Sequence, residues 1–451
     1  MKQSPSFSTR LGFLAAASGA AIGLANIWKF PYEVGQNGGA WYLIIYTFFV
    51  FILGYPLVLI KTAIGRKQGK GLYETYRAKG SWNLVAFFPL VICVGVLSFY
   101  NVVTGWILGY GVEMLRGTCL GAEDMGAFFG NFISSVPTNL FYNGVISLSV
   151  IAIVRLGVEK GIERWSKILM PVFLCMLLGL IVYACTLQGA KEGIAFYLWP
   201  KRELLTMESF GSALSHAFMS LALGTGVMIT YGAYAGKKEN IVQDSMFIVL
   251  SDFLIAFLAG LLIFPLAFHG GVEPNGGPSL IFLTLPMVLS KMGGIQSVVI
   301  GTTLFLLLVF AAVTSAISML EIPVKYVIER WNLSRTKSVF LIGGLSHLLG
   351  MASLLSHGGS DFFTNFLTYK GAVMSFMDVQ IFWVVNIAMP LSAMLFSLFV
   401  GQHWKEYQLD KEINTPHDYG KGHLCFVYIC LKYVAPVLIG IILMSQLLIP
   451  S

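Results

Sequence analysis

At 451 residues, 56% hydrophobic and 11% charged, with a mean hydropathy of +0.76, the chain is too apolar for a soluble domain, where about 25% of residues are charged. Its net charge of +7 comes without basic–aromatic interleaving, which excludes nucleic acid as the expected partner, and no Walker, HExxH or nucleophile–base pattern points to an enzyme. The composition requires an all-α membrane protein, since lipid offers unpaired backbone groups no partner and the alternating segments of a membrane barrel are absent.

A span needs about 20 mostly apolar residues. Eleven such stretches are expected: 11–35, 40–65, 82–115, 139–156, 161–186, 208–235, 241–268, 295–328, 337–356, 375–400 and 424–448, numbered here as spans 1 to 11. With the N-terminus inside, twenty Lys and Arg fall in inner segments and six in outer ones, and that asymmetry orients the chain with its N-terminus cytoplasmic and its C-terminus outside. The expected place is the cell membrane, with the lipid bilayer as the chain's surroundings and no obligatory protein partner apparent. The single outer cysteine, Cys119, has nothing to pair with, so no disulfide is expected.

Two spans are interrupted. Span 1 reads GAAIGLAN, with Gly19, Gly23 and Asn26, and continues to Lys29 and Pro31. Span 6 reads FMSLALGTGVMITY, with Ser220, Gly224, Thr225 and Gly226 at its centre. Five spans separate them, so they cross in opposite directions. That is the pattern of an inverted repeat with a binding site near the midplane: 1–186 as the first five-helix repeat, 208–400 as the second, and 424–448 as an extra eleventh helix, all in one transporter domain. A break exposes free N–H groups that can hold a carboxylate and free carbonyls that can hold Na⁺ or an ammonium group. The glycines alone would also be consistent with close helix packing.

The strings RLGFLAAASGAAIGLANIWKFPY, NGGAWYLIIY, SLALGTGVMITYGAY, GPSLIFLTLPMVL and FAAVTSAISMLE together resemble the neurotransmitter:sodium symporter family, whose bacterial members carry amino acids and share the leucine-transporter fold. The resemblance runs over nearly the whole chain. It implies two Na⁺ ions. The second site would use the carbonyls of Gly19, Ile22 and Ala311 and the hydroxyls of Thr314 and Ser315; Ala311, Thr314 and Ser315 also share one helix face. Without the resemblance, Thr314 and Ser315 would read as hydroxyls bonded back to their own helix. The first site would use the Ala21 carbonyl, Asn26, Ser220 and a span 7 residue. That residue is usually Asn in the family; here it is Asp252, a carboxylate whose burial in a span costs roughly 2.5 kcal/mol or more.

By the same resemblance the substrate lies against Ala21, Gly23, Leu24, Ala25 and Tyr100, with the Leu24 and Ala25 amides and the Tyr100 hydroxyl meeting its carboxylate. Val96, Phe218, Met219, Ser220, Ala222, Thr225, Ser315 and Met319 would surround the rest. Thr225 stands where the bacterial leucine carrier has an aromatic, and the adaptable Met219 and Met319 lead to an expected preference for bulky side chains. An outer gate is expected from Lys29 and Asp378, with Glu33 as an alternative partner, and an inner gate from Tyr234 and Glu329. The family's N-terminal arginine and tryptophan have only Phe7 and Lys2 near their places. Gly161 and Pro171 in span 5 are expected to let that helix unwind. Asp252 would replace chloride as a fixed negative charge, with His216, one turn before Ser220, sharing a proton. Lys61 stands where an acid is common and had no account at this level. The function expected is sodium-coupled, chloride-independent uptake of neutral hydrophobic L-amino acids; the alternative is a membrane sensor that binds an amino acid without transport.

Overall fold

A computed structural model describes residues 6–77, 82, 85–237, 239–271, 280–404, 406–414 and 419–448. Lys2, and Gly277 to Ser279 of the fourth quoted string, lie outside the described residues. The architecture is all-helical apart from one short hairpin, Leu367–Tyr369 with Ala372–Met374. Among the described residues nine helices are long and apolar enough to cross a membrane, and a tenth span is counted when Arg10–Ala21 and Leu24–Gln36, bent by 62°, are taken together. The stretch expected as span 6 is two short helices, Met207–Ser220 and Val227–Gly232. Neither half has the length of a span, which is why the count differs from eleven.

Both breaks have local causes. The first helix starts where the Thr9 hydroxyl accepts from the Gly12 amide. It ends at Ile22, whose ψ of 101° leaves the helical region, and Gly23 continues extended. A Cβ on Gly23 would come within 3.3 Å of Ser315 Oγ and 3.5 Å of Tyr100 Oη, so only glycine leaves that space free. In span 6 the chain leaves the helix after Ser220, passes through Ala222 at φ +48°, and re-enters it behind Gly226 at φ +79°.

The 38-residue helix Gly294–Trp331 packs beside the broken helices, and the 30-residue helix Phe87–Arg116 packs along it. Large apolar side chains that remain exposed, such as Leu148, Val182, Leu254 and Val299, sit on the spans, as a lipid-facing surface requires. Four spans contain wider π-helical turns: Val50–Gly54, Val158–Glu163, Ile381–Ala388 and Cys430–Val434.

Candidate functional site

The two breaks meet on Asp252. This carboxylate is fully buried in the helix Ile241–His269. Asn26 donates to its Oδ1 at 2.8 Å and to its backbone carbonyl at 3.1 Å, Ser220 donates to its Oδ2 at 2.5 Å, and Tyr46 donates to Oδ2 at 3.4 Å. No Lys, Arg or His nitrogen among the described residues lies within ion-pair distance of it. A buried carboxylate held by neutral donors alone lacks the countercharge that normally compensates its burial. Asn26, Ser220 and Asp252 are thus brought together, and Ala21 lines the cavity beside them. Tyr46, which sequence reasoning missed, completes the group; its hydroxyl also lies 3.3 Å from Ser220 Oγ.

The five residues expected at the second sodium position also converge. Ser315 Oγ donates toward the carbonyls of Gly19 and Ile22, each at 3.2 Å, and of Ala311 at 3.3 Å. Thr314 Oγ1 donates to Ala311 at 3.0 Å, and a Cβ on Gly19 would stand 3.1 Å from Thr314 Cβ. The hydroxyls bond back to their own helix, but Ser315 also reaches the carbonyls freed by the break in span 1. Among the described residues no cluster of three or more His, Cys, Asp or Glu has metal-site geometry, and the converging oxygens here are neutral carbonyls and hydroxyls, a donor type that suits hard cations.

Between the two groups lies a cavity of about 280 Å³. Ala21, Gly23, Leu24, Ala25, Val96, Tyr100, Met219, Ser220, Ala222, Ser315 and Met319 all line it, joined by Phe99, Val103, Ile381, Val385 and Met389. The Leu24 amide points at the Tyr100 hydroxyl, 3.4 Å away. Two expected lining residues do not line it. Thr225 turns its hydroxyl 2.9 Å onto the Ala222 carbonyl in its own break, and Phe218 is buried behind the cavity wall. The room on this side therefore comes from Ala222 and not from Thr225.

Of the two partners expected for Lys29, it meets Glu33 and not Asp378, and the expected inner pair of Tyr234 and Glu329 does not form. Asp378 forms a capping box with Ser375 at the start of its own helix, accepting from the Ser375 amide at 3.0 Å, and Lys29 approaches Glu33 at 3.8 Å. Lys29 and Tyr32 form the outer reach of the cavity. On the inner side Tyr234 donates to Glu321 at 2.6 Å, and Arg335 holds Glu321 through two contacts at 2.5 and 3.2 Å. Glu329 instead accepts from the Gly71 amide at 3.0 and 3.1 Å. Phe7 is buried against Tyr231 and Tyr234, its amide bonded to the Tyr234 carbonyl at 3.0 Å. Ser8 and Thr9 hold Glu163 of span 5 at 2.7 to 2.8 Å.

His216 does not touch Asp252. Its ring packs on Phe30 and Tyr46, centroids 5.5 and 5.3 Å apart, and neither ring nitrogen has a hydrogen-bond partner. Gly161 lies in the π-helical turn, where a Cβ would fall 2.1 Å from the Ile153 carbonyl; close packing on span 4 is thus one reason for glycine there. Pro171 sits inside the wound helix Arg164–Cys185.

A broken-helix membrane protein with an apolar cavity and oxygen clusters at both breaks has the construction of a secondary transporter. The sequence pattern of the Sodium:neurotransmitter symporter family matches residues 4–120 and 138–450. An uncharacterized sodium-dependent transporter of Bacillus subtilis, YhdH, is 35% identical over 448 residues, 97% of each chain. One from Haemophilus influenzae is 30% identical over 462 residues, 99% of each. The solved structure of MhsT in complex with L-phenylalanine superposes with a TM-score of 0.87 at 34% identity, covering 98% of this chain and 99% of that one. The chain belongs to the Sodium:neurotransmitter symporter family: it is a multi-pass, sodium-dependent membrane transporter and not an enzyme.

Proposed function

We propose that the protein carries neutral hydrophobic L-amino acids into the cell together with two Na⁺ ions, by alternating access and without chloride. The observation that carries this is Asp252, a buried carboxylate among neutral donors and without a basic partner, beside a cavity whose side-chain region is walled by Val96, Phe99, Met219 and Met319. Na⁺ bound by Asn26, Ser220, Asp252 and the Ala21 carbonyl supplies the missing countercharge. The substrate carboxylate, held by the Leu24 and Ala25 amides and Tyr100, completes that ion's shell. Each ligand then favours the same closed state, which is the coupling. The second Na⁺ takes the Gly19, Ile22 and Ala311 carbonyls with Thr314 and Ser315. The L-phenylalanine complex of MhsT and the adaptable Met219 and Met319 support a bulky apolar substrate. At 100 mV each Na⁺ contributes about 2.3 kcal/mol of electrical driving force.

In this reading the repeats 1–186 and 208–400 rock against each other with the N-terminus cytoplasmic and the C-terminus outside, and the wide turn at Gly161 with Pro171 opens to let water reach the second ion. Asp252 holds the fixed charge and is the place for a returning proton. The test is equilibrium binding of labelled L-phenylalanine to the purified protein in Na⁺, Li⁺ and K⁺. Binding requires Na⁺, and Asn26→Leu or Thr314→Val abolishes it with the fold intact. Undiminished binding in Na⁺-free buffer contradicts the reading. Asp252→Asn is expected to gain chloride stimulation that the parent lacks.

A further inference from the structure

Lys61 is 3% exposed in the middle of the helix Tyr55–Gln68, and among the described residues no carboxylate lies within ion-pair distance of it. An ammonium group inside a span is costly unless it has partners. It has two. Its Nζ donates to the backbone carbonyl of Leu223, and it stands 4.8 Å from the centre of the Phe396 ring, within range of the attraction between a cation and an aromatic face.

Leu223 lies in the break of span 6. In an unbroken helix its carbonyl would take the amide of residue 227. Here the Val227 amide turns toward Thr225 Oγ1 at 3.5 Å, and the Thr225 amide and hydroxyl both go to the Ala222 carbonyl, at 3.1 and 2.9 Å. The Leu223 carbonyl is thus released by the break, and Lys61 collects it. It follows directly on the C-terminal end of Met207–Ser220, the negative end of a helix. The same face of span 2 also receives Leu221: a Cβ on Gly54 would lie 2.3 Å from Leu221 Cδ1. On the other side, a Cβ on Gly224 would lie 2.3 Å from the Met389 carbonyl. The turn Leu221–Gly224 is therefore clamped between spans 2 and 10. It holds Ala222 at φ +48°, a conformation that a non-glycine residue adopts only when its surroundings impose it. Ala222 and Met389 both line the cavity.

We propose that Lys61 is a positioning residue that sets which substrate side chains the cavity accepts: its ammonium replaces the missing amide at Leu223 and fixes the turn whose Ala222 forms one wall of the cavity. This rests on the amino-acid reading above. Lys61 touches no cavity surface, so its effect passes through the backbone of the turn, on the side opposite the substrate.

The experiment measures Na⁺-dependent affinities for L-leucine and L-phenylalanine, by competition, on the purified protein. Lys61→Met, which keeps the bulk and loses the donor, changes the ratio of the two affinities by about tenfold, while the Na⁺ concentration for half-maximal binding is kept. Lys61→Arg stays close to the parent ratio. Lys61→Cys behaves like Lys61→Met and regains the parent ratio on treatment with 2-bromoethylamine, which rebuilds an ammonium at that position; the parent treated alike is the control. An unchanged ratio in Lys61→Met, or an equal loss of both affinities with a lowered melting temperature, overturns the proposal and leaves Lys61 a structural residue. If Lys61→Met does not fold, the untreated and treated Lys61→Cys protein decides by the same ratio. A parent that binds neither amino acid overturns the amino-acid reading itself and this inference with it.

Discussion

The two closures expected at the inner and outer ends of the substrate path are built from different physics. Inside, Glu321 is fully buried and held by the buried Tyr234 and by Arg335, whose side chain is 22% exposed; Arg335 also donates to the Val154 carbonyl at 2.8 Å, and Phe7 and Ser8 tie the N-terminal segment to the same end. Outside, Lys29 and Glu33 stand 3.8 Å apart with the lysine side chain 37% exposed, and the cavity reaches to Lys29 and Tyr32. Removing one member of a buried charge pair strands the other in a low dielectric, whereas an exposed pair is weak and screened. On the transport reading proposed above, the arrangement favours a molecule shut at the Glu321 end, with the barrier to opening there set by the Glu321 network and not by the Lys29–Glu33 pair.

That contrast can be broken most severely at Arg335. Arg335→Ala leaves Glu321 buried and unpaired, at about 3–5 kcal/mol to the inner-closed state. Hydrogen exchange at Arg10–Ala17 and Val227–Tyr234 is expected to rise roughly a hundredfold or more, with Na⁺-dependent binding falling in step; unchanged exchange would show that the network does not hold the closure. Tyr234→Phe removes a single bond to a charged acceptor, about 1.5–3 kcal/mol, so the same exchange experiment should show an effect about one order of magnitude smaller than Arg335→Ala. Lys29→Gln is the smallest: an exposed pair contributes about 0.2–1 kcal/mol, which predicts less than a fivefold change in substrate affinity and none in inner-side exchange. An effect of Lys29→Gln as large as that of Tyr234→Phe would put the two closures on an equal footing and contradict the comparison.

What could be read from the sequence follows the same division. The breaks were legible because glycine, asparagine and proline inside apolar runs conflict with a plain span. Asp252 was legible because a carboxylate that deep needs a reason. The convergence of Gly19, Ile22, Ala311, Thr314 and Ser315 required the family resemblance, since hydroxyls on one helix face are equally at home bonding to it. Glu321 was missed because its partner, Arg335, begins the following helix, and a search for bases within the spans passes over it. Tyr46 was missed because a tyrosine in an apolar stretch reads as packing until its hydroxyl has somewhere to go. Thr225 was misjudged because the Ala222 carbonyl, which already takes the Thr225 amide, also draws its hydroxyl back into the break, and which groups a break brings together depends on backbone angles. Lys61 stayed without an account for that same reason.

The central claim is that a sodium gradient drives an amino acid through this cavity without help from chloride. Its most direct test is uptake of labelled L-phenylalanine into proteoliposomes under an inward Na⁺ gradient, in chloride and in gluconate. The account predicts accumulation above equilibrium, equal in the two anions and lost when the gradient is collapsed. Binding without accumulation, or uptake only where chloride is present, would contradict it.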